Sequence, residues 1–487
     1  MKKSHPAEFD LIVIGGGSAG VRLARRSAGY GARVAVIESR KMGGTCVHLG
    51  CVPKKMFYYT AGYAKAFADA QDYGWQFSDQ PRLNWSALIK AKDTELNKLA
   101  RLYQKGLDEA GVITVHGKAR FIDDNHLEVI HETTGNTQIL SAKRFAITVG
   151  GKPFLPQIPG IEHVKTSDDI FSLPHLPDDI TIVGSGYIAI EFACIFAYLG
   201  VQVRLVYRGE QILKHFDRDL TDFVSKYMQA KNISFHPSSH IKTIEAVQPT
   251  VSYYTAGKYK VICDDQEFLT DCLLYATGRV ANTNHLGLEN LSRDILSRNT
   301  IKNVVTANSH ISVKPDFQSD IDHIYALGDA IDKPQLTPVA IAQANYLAAH
   351  LFSSGSHARP PNYRWLPTAV FSRPSIATIG LSEQNCIAED IKAAIYIKVF
   401  TPLQHSLTHH KEKVMIKLIV AEEADQRILG LHMAGAEAPD IIQAIAPGLS
   451  KGLTKQDLES ALALHPTNAE EVLHFYPQHL VRTCLPS

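Results

Sequence analysis

Two cysteines with four residues between them, Cys46 and Cys51, are the residues of this chain whose types and spacing best fit a chemical reaction. A close thiol pair can be oxidised to a disulfide and reduced again by thiol–disulfide exchange. Zinc binding is the main alternative, but no second Cys/His pair follows at a plausible spacing, so we expect no metal site. Because a glycine loop typical of dinucleotide binding lies on each side of the pair, the pattern indicates electron transfer from one cofactor through another to a disulfide.

The first glycine loop begins directly after the apolar run Phe9–Ile14, which predicts a buried strand. A helix is predicted over Val21–Gly29 and a second strand over Arg33–Ile37, followed by an acid. Glycines tighten such a turn and let backbone N–H groups approach a pyrophosphate, and the acid can accept a bond from a ribose hydroxyl. A glycine turn that only packs a helix on a sheet is the alternative. The predicted dinucleotide-binding residues are Gly15, Gly17, Gly20 and Glu38.

A second strand–glycine loop–helix–strand unit begins at Ile180. Its second strand, Val203–Tyr207, is followed by Arg208, and Lys214 comes six residues later. A cation at this place suits the 2′-phosphate of NADP(H), whereas an NAD site offers a carboxylate. A pair of solvated surface cations is the alternative. The predicted nicotinamide-dinucleotide residues are Gly184, Gly186, Ala189, Arg208 and Lys214.

The chain has 487 residues, 45% of them hydrophobic and 20% charged, which indicates a folded protein of two to four domains. The formal net charge of +1 gives no reason to expect binding to nucleic acid or a membrane. We find no signal peptide and no run of 18 or more consecutive apolar residues, so we expect no transmembrane helix. A single redox-active cysteine pair fits a reducing cytoplasm. The other cysteines before the tail fit reduced structural thiols: Cys194, Cys263, Cys272 and Cys386.

Hydrophobic periodicity also predicts the structure of the remaining segments. Residues 55–110 are expected to be mainly helical, residues 121–130 to form one strand-like segment, and the last 125 residues to form an α+β region. The two cysteines cannot lie on one regular helix, because residues five apart are separated by about 7.5 Å along the axis. A disulfide needs Cα atoms within about 7 Å, so we expect a distortion at Gly50 or Pro53.

Together these motifs resemble the pyridine nucleotide–disulfide oxidoreductases. The resemblance covers nearly the whole chain and is most specific in GGTCVHLGCVPKK and HPTNAEE, with GSGYIAIE, ATGR, ALGDA and LTPVAIA in the order of that family. It implies an α/β fold with two Rossmann-like domains, for FAD and NAD(P)H, and a C-terminal α+β dimerisation domain. The implied boundaries are 1–156 with 279–355 for FAD, 157–278 for NAD(P)H and 356–487 for the interface.

The resemblance also implies a mechanism in which NADPH reduces FAD, and FAD reduces a Cys46–Cys51 disulfide. Cys51 is the cysteine nearest the flavin, and Cys46 is the thiol that attacks the substrate. His465 acts as the base, oriented by Glu470, and reaches the thiols of a partner subunit, so a homodimer is implied. Lys54 is expected to lie near the flavin and to pair with Glu191. Tyr187 covers the NADPH site, and further cofactor contacts are assigned to Ser18, Ala19, Thr45, Ala119, Gly150, Gly278, Asp329 and Thr337.

Within the family, the chain resembles the glutathione reductase branch, whose substrate residues match Arg25 and Tyr103. Two departures remove affinity for an anionic disulfide: Asn345 stands where that branch has an arginine, and Glu95 stands where it has a tyrosine. Lys214 also replaces an arginine, and Thr148 moves a hydroxyl by one place. We therefore expect reduction of a low-molecular-weight disulfide, most simply glutathione disulfide, with glutathione amide or trypanothione-like disulfides as alternatives.

Other functions remain open at this point. A dihydrolipoamide dehydrogenase would use NAD, and Arg208 argues against that. Mercuric reductases usually carry a C-terminal cysteine pair, whereas this tail, about a dozen residues longer than expected, has Cys484 alone, which we interpret as incidental. A non-catalytic flavin-binding protein would be expected to lose a cysteine or the His–Glu pair, and all are present. The segment 291–310 carries no interpretable pattern.

Overall fold

A computed structural model describes residues 8–79, 81–247, 258–295, 310–354, 358–423 and 425–484. The α-helices are α1 (Ser18–Gly29), α2 (Gly44–His48), α3 (Cys51–Asp72), α4 (Trp85–Asp108), α5 (Ser167–Ile170), α6 (Tyr187–Tyr198), α7 (Arg218–Ala230), α8 (Thr337–Phe352), α9 (Glu383–Ala388), α10 (Ala438–Leu449) and α11 (Lys455–Ser460). The strands are β1 (Leu11–Ile14), β2 (Val34–Glu38), β3 (Ile113–His116), β4 (Lys118–Asp123), β5 (His126–Ile130), β6 (Thr137–Ser141), β7 (Phe145–Ile147), β8 (Gly151–Pro153), β9 (Asp179–Val183), β10 (Gln202–Val206), β11 (Ile233–His236), β12 (Ile241–Ala246), β13 (Tyr259–Cys263), β14 (Glu267–Thr270), β15 (Cys272–Tyr275), β16 (Arg279–Ala281), β17 (Ile324–Ala326), β18 (Thr368–Val370), β19 (Ile376–Gly380), β20 (Ala393–Phe400), β21 (Val414–Ala421), β22 (Ile428–Ala434) and β23 (Leu480–Cys484).

The chain folds into two compact units. The first comprises Met1–Lys54, Ser86–Phe154 and Gly278–Pro361, and the second comprises Lys55–Trp85, Leu155–Thr277 and Asn362–Ser487. The first unit contains a parallel sheet in the order β17-β7-β1-β2-β3. Its central strand β1 is buried on both faces, as expected of a short apolar run between parallel neighbours. This sheet and its glycine loop confirm the first predicted Rossmann-like fold.

A three-stranded antiparallel sheet, β4-β5-β6, also belongs to the first unit. The prediction of a single strand-like segment over residues 121–130 is wrong, because β4 ends and β5 begins within it. The backbone N–H of Asn125 donates to the Asp123 carboxylate at 2.8 Å, which is the local turn that Asp residues favour. The chain therefore reverses there and forms a hairpin.

The second unit contains two main sheets. One is parallel, in the order β11-β10-β9-β15, and carries the second glycine loop after β9. The other is antiparallel, in the order β18-β19-β22-β21-β20-β23, and α10 packs against it. These two sheets confirm the predicted second Rossmann-like fold and the C-terminal α+β region. The C-terminal strand β23 pairs with β20 at the edge, so the tail is part of the fold.

A buried lysine stands in the middle of β21, a strand whose eight residues are all buried. The Nζ atom of Lys417 lies 2.8 Å from Asp217, 2.6 Å from Asp219 and 2.6 Å from Glu383. Arg482 of β23 donates to Glu383 at 2.7 and 2.6 Å and to Asp219 at 2.5 Å. Isolated buried charges are costly, and in this cluster of three carboxylates and two cations every charged group has an oppositely charged partner.

Among the described residues, no helix has the length and apolar character needed to cross a bilayer. The same residues contain no group of three or more His, Cys, Asp and Glu side chains arranged to hold a metal ion. Most of the uninterpreted segment 291–310 lies outside the described residues. The division into an FAD, an NAD(P)H and an interface domain stays a prediction.

Candidate active site

The cysteine segment is broken between the two thiols. Helix α2 ends at His48, Leu49 takes a non-helical conformation, and a new helix begins at Cys51. This confirms the expected distortion and places it at Leu49 and Gly50, whereas Pro53 lies within the first turn of α3. A side chain on Gly50 would lie 3.0 Å from the carbonyl oxygen of Thr45, so the turn is also tight. The break brings the two thiols together.

Cys46 is partly buried and Cys51 is exposed. The hydroxyl oxygen of Thr337, the first residue of α8, lies 3.9 Å from the Cys51 sulfur. The hydrogen bond with Cys51, followed by burial, raises the pKa of Cys46 well above its ordinary value, although contacts with Thr337 and Ser18 oppose this rise. Since attack on a disulfide needs a thiolate, Cys46 requires a base or an added positive charge.

The first glycine loop packs so closely that only glycine fits at two places. Gly15 has a φ of +108°, and a side chain there would lie 2.5 Å from the carbonyl oxygen of Thr148. A side chain on Gly20 would lie 1.9 Å from the carbonyl oxygen of Gly15. The Thr148 hydroxyl donates to the carbonyl oxygens of Ile14 at 3.0 Å and Gly15 at 2.9 Å. Thr148, noted in the sequence only as a displaced hydroxyl, therefore fixes the loop.

The same loop leaves room and donors for an anion. Gly17 precedes α1, no described side chain caps that helix, and the nearest atom to a side chain placed on Gly17 is 3.8 Å away. The Glu38 carboxylate accepts hydrogen bonds from the N–H groups of Gly16 and Arg40, both at 2.7 Å. Exposed helix N–H groups beside a fixed carboxylate suit a pyrophosphate and a ribose. Ser18 begins α1, and Ala19 is buried in its first turn.

A second part of the candidate cofactor site lies in the turn after β17. Asp329 sits in a short 3-10 turn over Gly328–Ala330, and burial raises its pKa although Arg279 and His310 act in the opposite direction. The buried Gln343 side chain accepts a hydrogen bond from the Gly328 N–H at 2.8 Å and so holds the turn. No motif in the sequence indicated this role for Gln343. An apolar helix containing one buried amide is the signal that could have indicated it.

The second glycine loop repeats these features. Gly184 has a φ of +132°, and a side chain there would lie 2.3 Å from the carbonyl oxygen of Ala276. Gly186 has no atom within 4 Å of an added side chain and precedes α6, which no described side chain caps. Ala189 is buried in α6, and Tyr187 at its first position is 43% exposed. This arrangement also fits a dinucleotide phosphate.

Arg208 and Lys214 are both exposed in the segment after β10. Arg208 lies close enough to Tyr275 to oppose the burial that raises the pKa of that tyrosine to about 12. The Leu213 N–H donates to the carbonyl oxygen of Ser185 at 2.8 Å, which ties the segment to the glycine loop. The two cations are therefore held on the loop side of the parallel sheet.

His465 and Glu470 form a hydrogen-bonded pair. The His465 Nδ1 atom lies 3.1 Å from both carboxylate oxygens of Glu470. The backbone N–H of Thr467, followed by His465, holds the pKa of Glu470 below its usual range. The histidine side chain is 79% exposed, so its Nε2 edge faces outward from the chain. The predicted orienting contact is therefore present, and its catalytic role stays a prediction.

For several other predicted site residues, the described contacts do not by themselves indicate a role. Glu191 is buried in α6 and accepts a hydrogen bond from the Phe371 N–H at 2.9 Å. Lys54 lies in the first turn of α3, and its predicted pairing with Glu191 stays a prediction. Thr45 is exposed in α2. Of the remaining predicted cofactor residues, Ala119 is buried in β4. Gly150 and Gly278 have left-handed backbones, and no atom lies within 4 Å of a side chain placed on either.

The two predicted substrate residues lie on neighbouring helices. Arg25 is exposed on α1, and its guanidinium carbon is 3.2 Å from the place a side chain on Gly106 of α4 would occupy. Tyr103 lies one turn before Gly106 on α4. Burial and then the neighbouring Cys46 raise the pKa of Tyr103, so the phenol lies near the candidate reactive thiol. Arg25 and Tyr103 are therefore brought to the same side of the first unit.

Comparisons with known proteins agree with this geometry. A family model described as pyridine nucleotide-disulphide oxidoreductase matches residues 9–344, and the dimerisation domain of the same family matches residues 366–475. Glutathione reductases from Nostoc sp. (strain PCC 7120) and Burkholderia cepacia are each 38% identical, covering 95% of this chain and 98% and 97% of their own. The chloroplastic/mitochondrial glutathione reductase of Pisum sativum is 36% identical over 95% of this chain and 81% of its own.

Proposed function

The chain belongs to the pyridine nucleotide–disulphide oxidoreductase family, and on that basis we propose that it is an FAD-containing enzyme that uses NADPH to reduce glutathione disulfide. The observation that carries this proposal is the broken helix that holds Cys46 beside Cys51, close to Ser18 at the start of α1. A second thiol at contact distance is what an enzyme needs to resolve a mixed disulfide.

The residues present fit both nucleotides. The uncapped N terminus of α1 with Glu38 would hold the FAD pyrophosphate and ribose, and Asp329 and Thr337 would contact the rest of that cofactor. The open loop at Gly186 would hold NADPH, with Arg208 and Lys214 on the 2′-phosphate. When bound, FAD supplies the two-electron link between the nicotinamide and the cysteine pair. Tyr187 would cover the NADPH site, and a Lys54–Glu191 pair would lie beside the flavin.

The cysteine pair performs the exchange. The Cys46 thiolate attacks one sulfur of glutathione disulfide, the substrate S–S bond breaks, and one glutathione leaves as a thiolate that takes up a proton. The Cys51 thiolate then attacks the Cys46 sulfur, which forms the Cys46–Cys51 disulfide and releases the second glutathione. The protein has lost two electrons and the substrate has gained them, and NADPH restores the dithiol.

His465 supplies and takes back the proton. A base is needed because contact with Cys51 and burial raise the pKa of Cys46. The imidazole is exposed and oriented by Glu470, and the neighbouring Leu462 and Leu464 are 100% and 76% exposed. Exposed leucines beside an oriented base suit a surface that a second subunit covers. We therefore place His465 at the thiols of the partner subunit in a homodimer whose two active sites are shared.

The enzyme's expected location is the cytoplasm, where the thiol pool is reducing and NADPH is available. Support comes from the cysteines outside the active site, which are buried and fit structural thiols: Cys194, Cys263, Cys272, Cys386 and Cys484. Burial raises the pKa of each of these thiols, so none of them shares the exposure that a redox-active thiol needs.

The thiol roles can be tested with two serine variants. Cys46→Ser and Cys51→Ser should each abolish NADPH oxidation by glutathione disulfide while retaining FAD. Incubation with glutathione disulfide after reduction should leave Cys51→Ser with a stable glutathione adduct on Cys46, which peptide mass spectrometry locates. Cys386→Ser serves as the matched control. Turnover in either active-site variant, or an adduct on a cysteine other than Cys46, would overturn the assignment.

A further inference from the structure

We propose that Arg22 is a specificity-determining residue that binds a glycine carboxylate of glutathione disulfide. It would replace the cation that is missing at Asn345. The inference rests on the proposed function and names a substrate contact that the motifs of the sequence do not reveal. Four observations indicate that Arg22 lies near the Cys46 and Cys51 thiols.

The first observation is that the first turns of α1 and α2 are in contact. A side chain on Gly44, the first residue of α2, would lie 2.6 Å from the Cα atom of Gly17, so the first turns of α1 and α2 touch. Ser18 is therefore within hydrogen-bonding reach of Cys46. Residues four and seven positions after Ser18 lie on the same helix face, and these positions are Arg22 and Arg25. Arg22 and Arg25 therefore lie on the face of α1 that begins at Ser18, next to the Cys46 thiol.

The second observation comes from α4. Arg25 packs against Gly106, and Tyr103 lies one turn earlier on the same helix. Tyr103 is close enough to both Cys46 and Arg22 that each changes the pKa of the phenol, Cys46 upward and Arg22 downward. Arg22 therefore lies within electrostatic range of the same phenol as Cys46, and Arg25 lies one turn farther along α1, against α4.

The third observation concerns α8. Helix α1 packs along α8, and the exposed Asn345 is a residue of α8. The arginine that the resemblance expects at Asn345 would therefore project from the helix next to the one that carries Arg22. The positive charge is lost from one helix and present on its neighbour, so an anionic substrate can still meet two cations, Arg22 and Arg25.

The fourth observation is the state of the Arg22 guanidinium. It is exposed, and within the described residues it has neither an ion-pair nor a hydrogen-bond partner. Arg26, on the next turn, donates to the hydroxyl of Tyr30 at 3.0 Å instead. A planar guanidinium with its donors available can bind a carboxylate through two parallel hydrogen bonds. Arg26 is therefore a matched control on the same helix.

The test compares oxidised glutathione with the disulfide of glutathione amide, in which the glycine carboxylate is neutral. In the FAD-loaded enzyme with saturating NADPH, Arg22→Gln should raise the KM for oxidised glutathione about tenfold, the loss expected of one charged hydrogen bond. The kcat should stay within about twofold, and the KM for the amide should be unchanged, since KM alone reports uniform binding. Arg26→Gln should change none of these values.

A rescue variant separates a substrate contact from a structural effect. Adding Asn345→Arg to Arg22→Gln should restore the KM for oxidised glutathione, because a cation then returns to the neighbouring helix. An unchanged KM in Arg22→Gln, or an equal rise for both disulfides, would overturn the role of Arg22 and leave the proposed function intact. A wild-type enzyme that does not reduce oxidised glutathione would overturn both.

Discussion

The Nδ1 atom of His465 lies 3.1 Å from both carboxylate oxygens of Glu470, so the imidazole ring is held by a symmetric contact while its other nitrogen faces outward. The Glu470 carboxylate is itself fixed by the Thr467 N–H at 3.2 Å. A general base works only when its ring is oriented toward the proton that it moves. This relationship is the geometric basis for the proposed role of His465.

Replacing Glu470 by Gln should therefore lower kcat by about tenfold, whereas removing the base in His465→Gln should lower it by about 100-fold or more. The amide keeps the shape of the side chain but removes the charge that stabilises a protonated imidazole. Steady-state turnover of oxidised glutathione measures the effect. Glu471→Gln is the matched control, because the adjacent Glu471 pairs with Lys398 at 2.8 Å. Equal losses in Glu470→Gln and Glu471→Gln would argue against an orienting role.

The buried cation of the second unit should be essential for stability. Lys417 is fully buried against three carboxylates, and removing one partner of a buried ion pair typically costs about 3–5 kcal/mol. Lys417→Met should lower the free energy of unfolding of the holoenzyme by that amount. Lys413→Met, at an exposed position just before the same strand, should change it little. Chemical denaturation of both variants measures the difference, and similar losses would contradict this account.

The same cluster predicts a pH dependence. Burial opposes ionisation of Asp217 and Glu383, but the cations around them hold their pKa values below the ordinary 3.8 and 4.5. A carboxylate with a lowered pKa stabilises the fold above its ordinary pKa, and that contribution is lost as the pH falls through the lowered value. The stability difference between wild type and Lys417→Met should therefore shrink below about pH 4. A difference that stays constant between about pH 7 and pH 3 would contradict the assignment.

The Thr148 hydroxyl should contribute to FAD retention. It donates to the carbonyl oxygens of Ile14, at the end of β1, and of Gly15, in the first glycine loop. In the variant Ile14 would keep the Thr148 N–H as a donor at 2.8 Å, whereas Gly15 would lose the hydroxyl, and a buried acceptor left without its donor costs about 1–3 kcal/mol. Thr148→Val should weaken FAD binding by about tenfold or more, because the loop loses its fixed position. Release of flavin fluorescence on dilution gives the dissociation constant. Thr137→Val, at an exposed strand position, is the control, and equal retention in both variants would rule out this role.

The glycine loops and the break between the two cysteines could be predicted from the sequence because they depend on local chain geometry. A strand, a tight turn and a helix follow within about 30 residues, and the turn needs glycine whatever surrounds it. The Lys417 cluster could not be predicted, since its carboxylates and cations come from α7, α9, β21 and β23, which are far apart in the sequence.

The hairpin at Asp123 and the roles of Thr148 and Gln343 were missed for a related reason. Each depends on which backbone group a short polar side chain reaches, and residue type alone does not fix that choice. The tail gives a further example. No strand was predicted there, yet β23 pairs along β20, and its Arg482 donates to Glu383 of the buried cluster.

The most direct test of the central claim is to measure oxidation of NADPH and NADH by the purified FAD-loaded protein with oxidised glutathione, glutathione amide disulfide, trypanothione disulfide, lipoamide and thioredoxin. We expect rapid turnover of oxidised glutathione with NADPH and much slower turnover with NADH, because Arg208 and Lys214 would meet the 2′-phosphate. Absence of turnover with oxidised glutathione, in protein that retains FAD and a reducible Cys46–Cys51 pair, would contradict the substrate assignment.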